Sequence, residues 1–131
     1  MLPNIEGKAT GSISFGHHRF DVSLDLIIFL ENDTQIVYCP PLEVYGYGND
    51  EKEAQESFKI SLAEFFKYCT NKNTLRMELK RLGWQMKKSK TKPMVPPPIT
   101  ELLSTNENLS RIYNNFDFRK TVTIISIPLV A

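Results

Sequence analysis

Residues 36–66 carry the strongest structural signals in this chain, and they read Ile36-Val-Tyr-Cys-Pro-Pro-Leu-Glu-Val-Tyr-Gly-Tyr-Gly-Asn-Asp-Glu-Lys-Glu-Ala-Gln-Glu-Ser-Phe-Lys-Ile-Ser-Leu-Ala-Glu-Phe-Phe66. A helix is predicted to begin near Asp50, because its side chain can accept hydrogen bonds from unpaired N–H groups of the first turn and Glu53 can reach back. Apolar residues then recur at helical spacing, at Ala54, Phe58, Leu62, Phe65 and Cys69. This pattern predicts an amphipathic helix with one face on a sheet.

Alternating apolar and polar residues before and after this helix predict strands. The predicted strands are Arg19–Leu30, Gln35–Cys39, Glu43–Tyr47 and, near the C-terminus, Thr121–Ile127. A hairpin turn is expected at residues 31–34, and Pro40-Pro41 should end pairing because proline has no N–H to donate. On the second face of the first strand, polar residues are followed by Ile27 and Phe29. Both faces of the strand should therefore be buried near its end. Gly46 and Gly48 are interpreted as corner residues that permit positive φ, since they lack the further residues of a phosphate loop.

Residues 8–15 are predicted to form an edge strand or an ordered arm. After the main helix, Thr74 is expected to cap a second helix that carries Leu75, Leu79 and Leu82 and ends at Gly83. Residues 87–98 form a basic and proline-rich loop, Ile99–Leu103 is a short helical turn capped by Thr100, and residues 106–118 have no clear pattern.

Length and composition predict one domain over residues 1–131, and the predicted strands and helices make it α+β. The chain has 131 residues, 41% hydrophobic content and a net charge of +1, which is ordinary for a folded domain. Two cysteines without metal-ligand spacing indicate reduced thiols, and no signal sequence or long apolar run is present in the sequence. We therefore expect a cytoplasmic protein that does not enter a membrane, with a small, mostly antiparallel sheet of three to five strands under one main helix.

The segment Gly48-Asn49-Asp50-Glu51-Lys52-Glu53-Ala54, together with the strand order before it, resembles the HicB-like antitoxin family. In that family a G-x-(S/T/D)-x-E-E-A step leads into the helix of a β-β-β-α-β module. The resemblance covers residues 20–70, and residues 71–131 would be an extension in which the family's usual DNA-binding segment is not recognisable. It implies a partly degenerate ribonuclease-H-like sheet without catalytic carboxylates, which holds an RNA-cleaving toxin.

Four acidic residues are the predicted partner-binding group on this module: Asp21, Asp25, Asp33 and Glu43. They would give a complementary surface to a small basic toxin-like protein. Asp21 and Asp25 share a strand face but lie about 13 Å apart at the rise of a strand, too far to hold one ion without a third ligand. The leading hypothesis is therefore a non-catalytic, antitoxin-like binding module with no catalytic residue, metal or cofactor.

Two other functions compete with this hypothesis. The basic segment Lys87, Lys88, Lys90 and Lys92 beside Trp84 could bind nucleic acid, although Trp84 is also interpreted as a core residue. A residual metal-dependent nuclease would use Asp21, Asp25 and Glu43. The terminal strand 121–127 is expected either to complete its own sheet or to join two copies into a homodimer.

Overall fold

The structure is a computed structural model that describes residues 18–88 and 93–129, and it is an α+β fold. Its strands are β1 (His18–Glu31), β2 (Thr34–Cys39), β3 (Val44–Gly48), β4 (Gln85–Met86), β5 (Met94–Val95) and β6 (Phe118–Leu129). Its helices are α1 (Glu51–Asn71), α2 (Leu75–Arg81), α3 (Ile99–Thr105) and α4 (Glu107–Asn115). The main sheet has four antiparallel strands in the order β3-β2-β1-β6, and β4 and β5 form a separate small ribbon.

Strand β1 lies between β2 and β6, and it pairs with β2 over residues 27–31 only. Its hairpin with β2 turns at Asn32 and Asp33, whose φ angles of +51° and +64° lie in the left-handed region that these residue types tolerate. On its other side β1 pairs with β6 along its length, from His18 opposite Leu129 to Phe29 opposite Phe118. The predicted C-terminal strand is confirmed, extends beyond the predicted bounds, and completes the sheet of its own chain.

Helix α1 begins where the sequence predicts. The Asp50 carboxylate accepts a hydrogen bond from the Glu53 N–H at 2.8 Å, and the Glu53 carboxylate accepts one from the Asn49 N–H at 2.9 Å. These two bonds resemble a capping box, with Glu53 bonding the N–H one residue before the N-cap. The buried row differs at one place from the prediction, because Phe66 and not Phe65 continues the four-residue spacing from Phe58. Phe65 lies half-buried at the margin, with its ring 5.3 Å from that of Phe66.

The interpretation of Gly46 and Gly48 as positive-φ residues is wrong. Among the described glycines, only Gly83 has a positive φ, at +100°, which fits its predicted place after α2. Gly46 and Gly48 instead allow α1 to pack directly against β3. A Cβ atom at Gly46 would lie 2.3 Å from the Ala54 carbonyl oxygen and 2.3 Å from the Phe58 nitrogen. The missing side chain therefore sets the distance between helix and sheet.

Two hydrophobic clusters lie on opposite sides of the sheet. On the first side α1, α2 and Trp84 cover even-numbered residues of β1, including Leu24, Leu26 and Ile28. On the second side α3 and α4 cover Ile27, Phe29, Ile36 and Tyr38. The predicted burial of Ile27 and Phe29 is confirmed, and the predicted two-layer unit of sheet and helix gains a third layer of short helices.

The C-terminal half contains the largest departures from the predictions. Residues 106–118, which have no clear pattern, contain α4, and the Asn106 side chain caps it by accepting from the N–H groups of Asn108 and Leu109 at 3.0 and 3.1 Å. Helix α3 follows Pro98, so Thr100 is not its cap. Thr74 precedes α2, but its side chain makes no capping hydrogen bond.

Other predictions on this half concern short segments. Met94 and Val95 of the predicted loop 87–98 pair with β4. The predicted edge strand or arm at residues 8–15 lies outside the described residues. Within the described residues, no helix is long and apolar enough to cross a membrane.

Candidate protein-binding face

Half of the second side of the sheet is left open by the described helices. Odd-numbered residues of β1 and even-numbered residues of β6 point to this side, because Ile27 and Phe29 belong to its cluster and strand neighbours alternate. Helices α3 and α4 cover only the half that contains this cluster. The remaining half is formed by Asp21, Ser23, Asp25, Val122 and Ile124, and we call these five residues the open face.

The open face places an apolar row beside an acidic row. Val122 lies opposite Asp25 and Ile124 lies opposite Ser23 in the β1–β6 ladder. Val122 is 53% exposed and Ile124 is 40% exposed, whereas Ile125 and Ile127 of the same strand are buried on the first side. Asp21 is exposed and Asp25 is half-buried. The open face therefore combines two exposed β-branched side chains with two carboxylates.

Basic residues lie at both ends of the open face. Arg19 donates hydrogen bonds to the Ser126 hydroxyl at 3.0 Å and to the Ser126 carbonyl oxygen at 3.2 Å. Burial lowers the pKa of Arg19, and nearby Asp21 partly opposes that effect. Lys120, opposite Ile27, is exposed at the other end. The carboxylates therefore lie in the middle of the face, between two cations.

The structure brings three of the four predicted partner-binding acids to the same side of the sheet. Asp21 and Asp25 lie on the open face, as the strand pattern predicts. Glu43 precedes β3 and lies at the margin of the helical cover, where its carboxylate accepts hydrogen bonds from the Tyr38 hydroxyl and from Asn106 Nδ2, the latter at 2.8 Å. Asp33 lies in the β1–β2 turn, about 20 Å from Asp25 at the rise of a strand, so it does not belong to this group. The binding role of all four stays a prediction.

Tyr38, Glu43 and Asn106 form a hydrogen-bonded cluster that sequence reasoning did not foresee. Asn106 Nδ2 also donates to the Tyr38 hydroxyl, at 3.0 Å, while its Oδ1 caps α4. Burial, followed by the bond to Glu43, raises the pKa of Tyr38. The Tyr45 ring stacks on that of Tyr38 at 4.3 Å, and burial raises the pKa of Tyr45 to about 12. The cluster ties the start of α4 to the β2–β3 turn.

A pocket of about 620 Å³ adjoins this cluster. Its lining includes Glu43, Arg81, Glu101, Asn106 and Glu107. Arg81 is already paired with Glu78 on its own helix. Glu43 and Asn106 bond to each other and to Tyr38, so these lining side chains already have partners within the chain.

The predicted nucleic-acid segment is only partly described. Lys87 and Lys88 are exposed after β4, and Lys90 and Lys92 lie outside the described residues. Trp84 is 3% exposed, and its indole N–H donates to the Pro41 carbonyl oxygen at 2.8 Å. The interpretation of Trp84 as core is confirmed, and its ring is not available here to stack on a base.

Both cysteines lie in the hydrophobic cluster on the first side of the sheet. Cys39 and Cys69 are both buried and unpaired, and burial raises the pKa of each thiol. Among residues 18–88 and 93–129, no group of three His, Cys, Asp or Glu side chains is arranged to hold a metal ion.

Comparison of the chain with protein-family models, with curated proteins and with solved structures gave no match. The order β1-β2-β3-α1 and the helix start at Asp50 are those predicted from the sequence. A capped helix after a glycine is common in proteins, so family membership stays a prediction.

Proposed function

We propose that this chain is a non-catalytic protein-binding module, antitoxin-like in its action, and that its open face holds a small basic toxin-like protein. The observation that supports this most directly is that, among the described residues, helices cover only half of the second side of the sheet. Helices α3 and α4 bury one half of its second side, while the other half exposes Val122 and Ile124 next to Asp21 and Asp25.

The chemistry of the open face defines the partner that it would hold. The apolar row needs a complementary apolar patch on the partner, because burying apolar surface stabilises the complex by about 25 cal/mol per Å². The acidic row needs Lys or Arg beside that patch. Charge pairs of this kind steer association and set specificity more than they add affinity. A protein that cleaves RNA carries basic residues to hold phosphates, so it offers the required charge.

The neutralising action follows from this charge pattern. If the basic residues of the toxin that contact RNA also contact Asp21 and Asp25, the bound module prevents RNA from reaching them. No bond is made or broken by this chain in that scheme. The proposal needs only a rigid surface, which the β1–β6 ladder supplies along its length.

Exposed Lys87 and Lys88 favour a second candidate, nucleic-acid binding through the basic segment 87–92. Because Trp84 is buried, this candidate rests on lysine charge, a sequence-independent contact in which each phosphate contributes a salt-dependent increment. Neutralising Lys87, Lys88, Lys90 and Lys92 would lower retention of generic RNA if this candidate were correct.

The proposed function is tested with a single charge reversal. The chain is purified from its native host with bound protein, the partner is identified by mass spectrometry, and association rates are measured with purified components. Asp25→Lys should slow association by about tenfold at low salt and by less at high salt, because the steering field is screened over about 8–10 Å.

The matched control is Glu64→Lys. Glu64 is an exposed acid on α1, on the opposite side of the sheet, so the same change of charge there should leave association within about twofold of wild type. A basic partner that binds Asp25→Lys as fast as wild type, or binds both variants equally slowly, would refute the open face as the binding surface.

A further inference from the structure

The outer edge of β6 is unpaired among the described residues. β6 is twelve residues long and lies at one end of the sheet order, with β1 on its inner side. The edge at the other end, β3, has only five residues and lies under α1. A long strand edge presents a row of backbone donors and acceptors to any strand that can align with it.

We propose that a second copy of this chain pairs with this edge, β6 against β6, about a two-fold axis at Thr123. The two sheets then form one continuous antiparallel sheet of eight strands. A two-fold axis perpendicular to the sheet keeps each side chain on its own side of the sheet. Even-numbered residues of β6 therefore lie opposite even-numbered residues of the second copy. Val122 lies opposite Ile124 of the second copy, and Lys120 lies opposite Ser126 of the second copy.

The apolar side chains support this register. Val122 and Ile124 are exposed in the single chain and point to the same side. Pairing them across the axis brings four β-branched side chains into one contiguous group, with directly opposite Cβ atoms about 4.5–5.5 Å apart. Opposed β-branched residues are among the pairs that stabilise antiparallel strands.

Charge favours this register over the one with its axis at Ile124. Ser126 pairs with Asp21 on β1, so Lys120 would lie about 10 Å, or two strand spacings, from Asp21 of the second copy. That separation is within the combined length of the two side chains, and Asp21 would then lie between Arg19 and Lys120. Moving the axis to Ile124 would instead align Lys120 with Pro128, whose β1 partner is Arg19, and would bring like charges together.

The two Lys120 side chains do not oppose this dimer. In the proposed register they are offset by six residues, about 20 Å along the strands, which exceeds the screening length of about 8–10 Å at physiological salt. The dimer places two open faces side by side, and it requires no other partner. It therefore stands or falls separately from the proposed function.

Cysteine cross-linking tests the register. Val122→Cys and Ile124→Cys are prepared as separate full-length proteins, and each alone and an equimolar mixture are oxidised mildly. The mixture should form a disulfide-linked dimer at least tenfold faster than either protein alone, because identical positions lie diagonally, about 7–8 Å apart, near the limit for a disulfide. Wild type, which keeps the buried Cys39 and Cys69, is the control for background cross-linking.

Charge reversal tests the ion pair in the same dimer. Sedimentation should show a dimer for wild type, weaker association for Lys120→Asp and for Asp21→Lys, and recovery of association when both changes are combined. Ile124→Lys should be a monomer with an unchanged circular dichroism spectrum, since the side chain it replaces is exposed. A wild-type chain that stays monomeric over a wide range of concentration, or cross-links that form equally fast in the unmixed proteins, would overturn the proposal.

Discussion

Replacing Gly46 with Ala should be among the most damaging single changes in this protein, although it adds only one methyl group. The new Cβ atom would lie 2.3 Å from the Ala54 carbonyl oxygen, 2.3 Å from the Phe58 nitrogen and 2.6 Å from the Phe58 Cα. All three are backbone atoms of α1, so no rotation of a side chain can relieve the contact. Ordinary contact begins at 3.4 Å, and α1 must therefore move away from β3 by about 1 Å.

The energetic cost follows from what α1 buries. Its inner row, Ala54, Phe58, Leu62 and Phe66, is at most 1% exposed and packs against the sheet as one unit. Moving that row by about 1 Å loosens every contact along it, and overpacking of this kind costs about 1–3 kcal/mol or more. We expect Gly46→Ala to lower the free energy of unfolding by about 3–5 kcal/mol, a large part of the 5–15 kcal/mol typical of a domain.

Urea unfolding followed by circular dichroism measures this loss, and thermal unfolding should show a melting temperature lower by roughly 10–20 °C. Ile60→Ala is the matched control on α1, because Ile60 is 64% exposed and its truncation should change stability by about 0.5 kcal/mol or less. A Gly46→Ala protein within about 1 kcal/mol of wild type would show that the close approach of α1 to β3 does not determine stability.

Three further changes probe the core, the Asn106 cluster and the alkaline limit. Phe58→Ala should destabilise by about 3–5 kcal/mol in urea unfolding, whereas Glu56→Ala on the exposed face should stay within about 0.5 kcal/mol. Asn106→Ala should lower the free energy of unfolding by about 2–3 kcal/mol, because it removes the cap of α4 and the bonds to Tyr38 and Glu43. Backbone amides of α4 should then exchange with solvent faster than in wild type. Tyr45 has a folded pKa of about 12, above its unfolded value of about 10. Its contribution to the free energy of unfolding is therefore complete below pH 10 and is lost between pH 10 and 12. Tyr45→Phe should therefore make the fall in stability over that range shallower, and an unchanged slope would contradict the shift.

Local signals in the sequence were sufficient for the first half of the fold. Asp50 and Glu53 are three residues apart and cap α1 through contacts within one turn, so their pattern is visible in the chain itself. The turn at Asn32 and Asp33 is likewise local. The alternation of β1 also placed Asp21 and Asp25 on one face, because successive side chains of a strand point to opposite faces.

Features that depend on distant contacts could not be predicted in this way. Helix α4 is short and polar, and it is held by Asn106, whose side chain meets Tyr38 from 68 residues away. Gly46 serves a helix that follows it in sequence, and only the packed structure shows that the space is occupied by backbone. The exposure of Val122 depends on where α3 and α4 stop covering the sheet, which no local pattern in β6 reveals.

The most direct test of the central claim is the salt dependence of partner association for two variants measured side by side. One carries Asp25→Lys on the open face, and the other has Lys87 and Lys88 changed to Gln after β4. A module that holds a basic protein predicts that the first variant associates about tenfold more slowly at low salt, with the difference shrinking at high salt, while the second behaves as wild type. The account is contradicted if only the lysine variant loses partner binding. It is also contradicted if generic RNA competes with the partner for the purified chain and only the lysine variant binds that RNA more weakly.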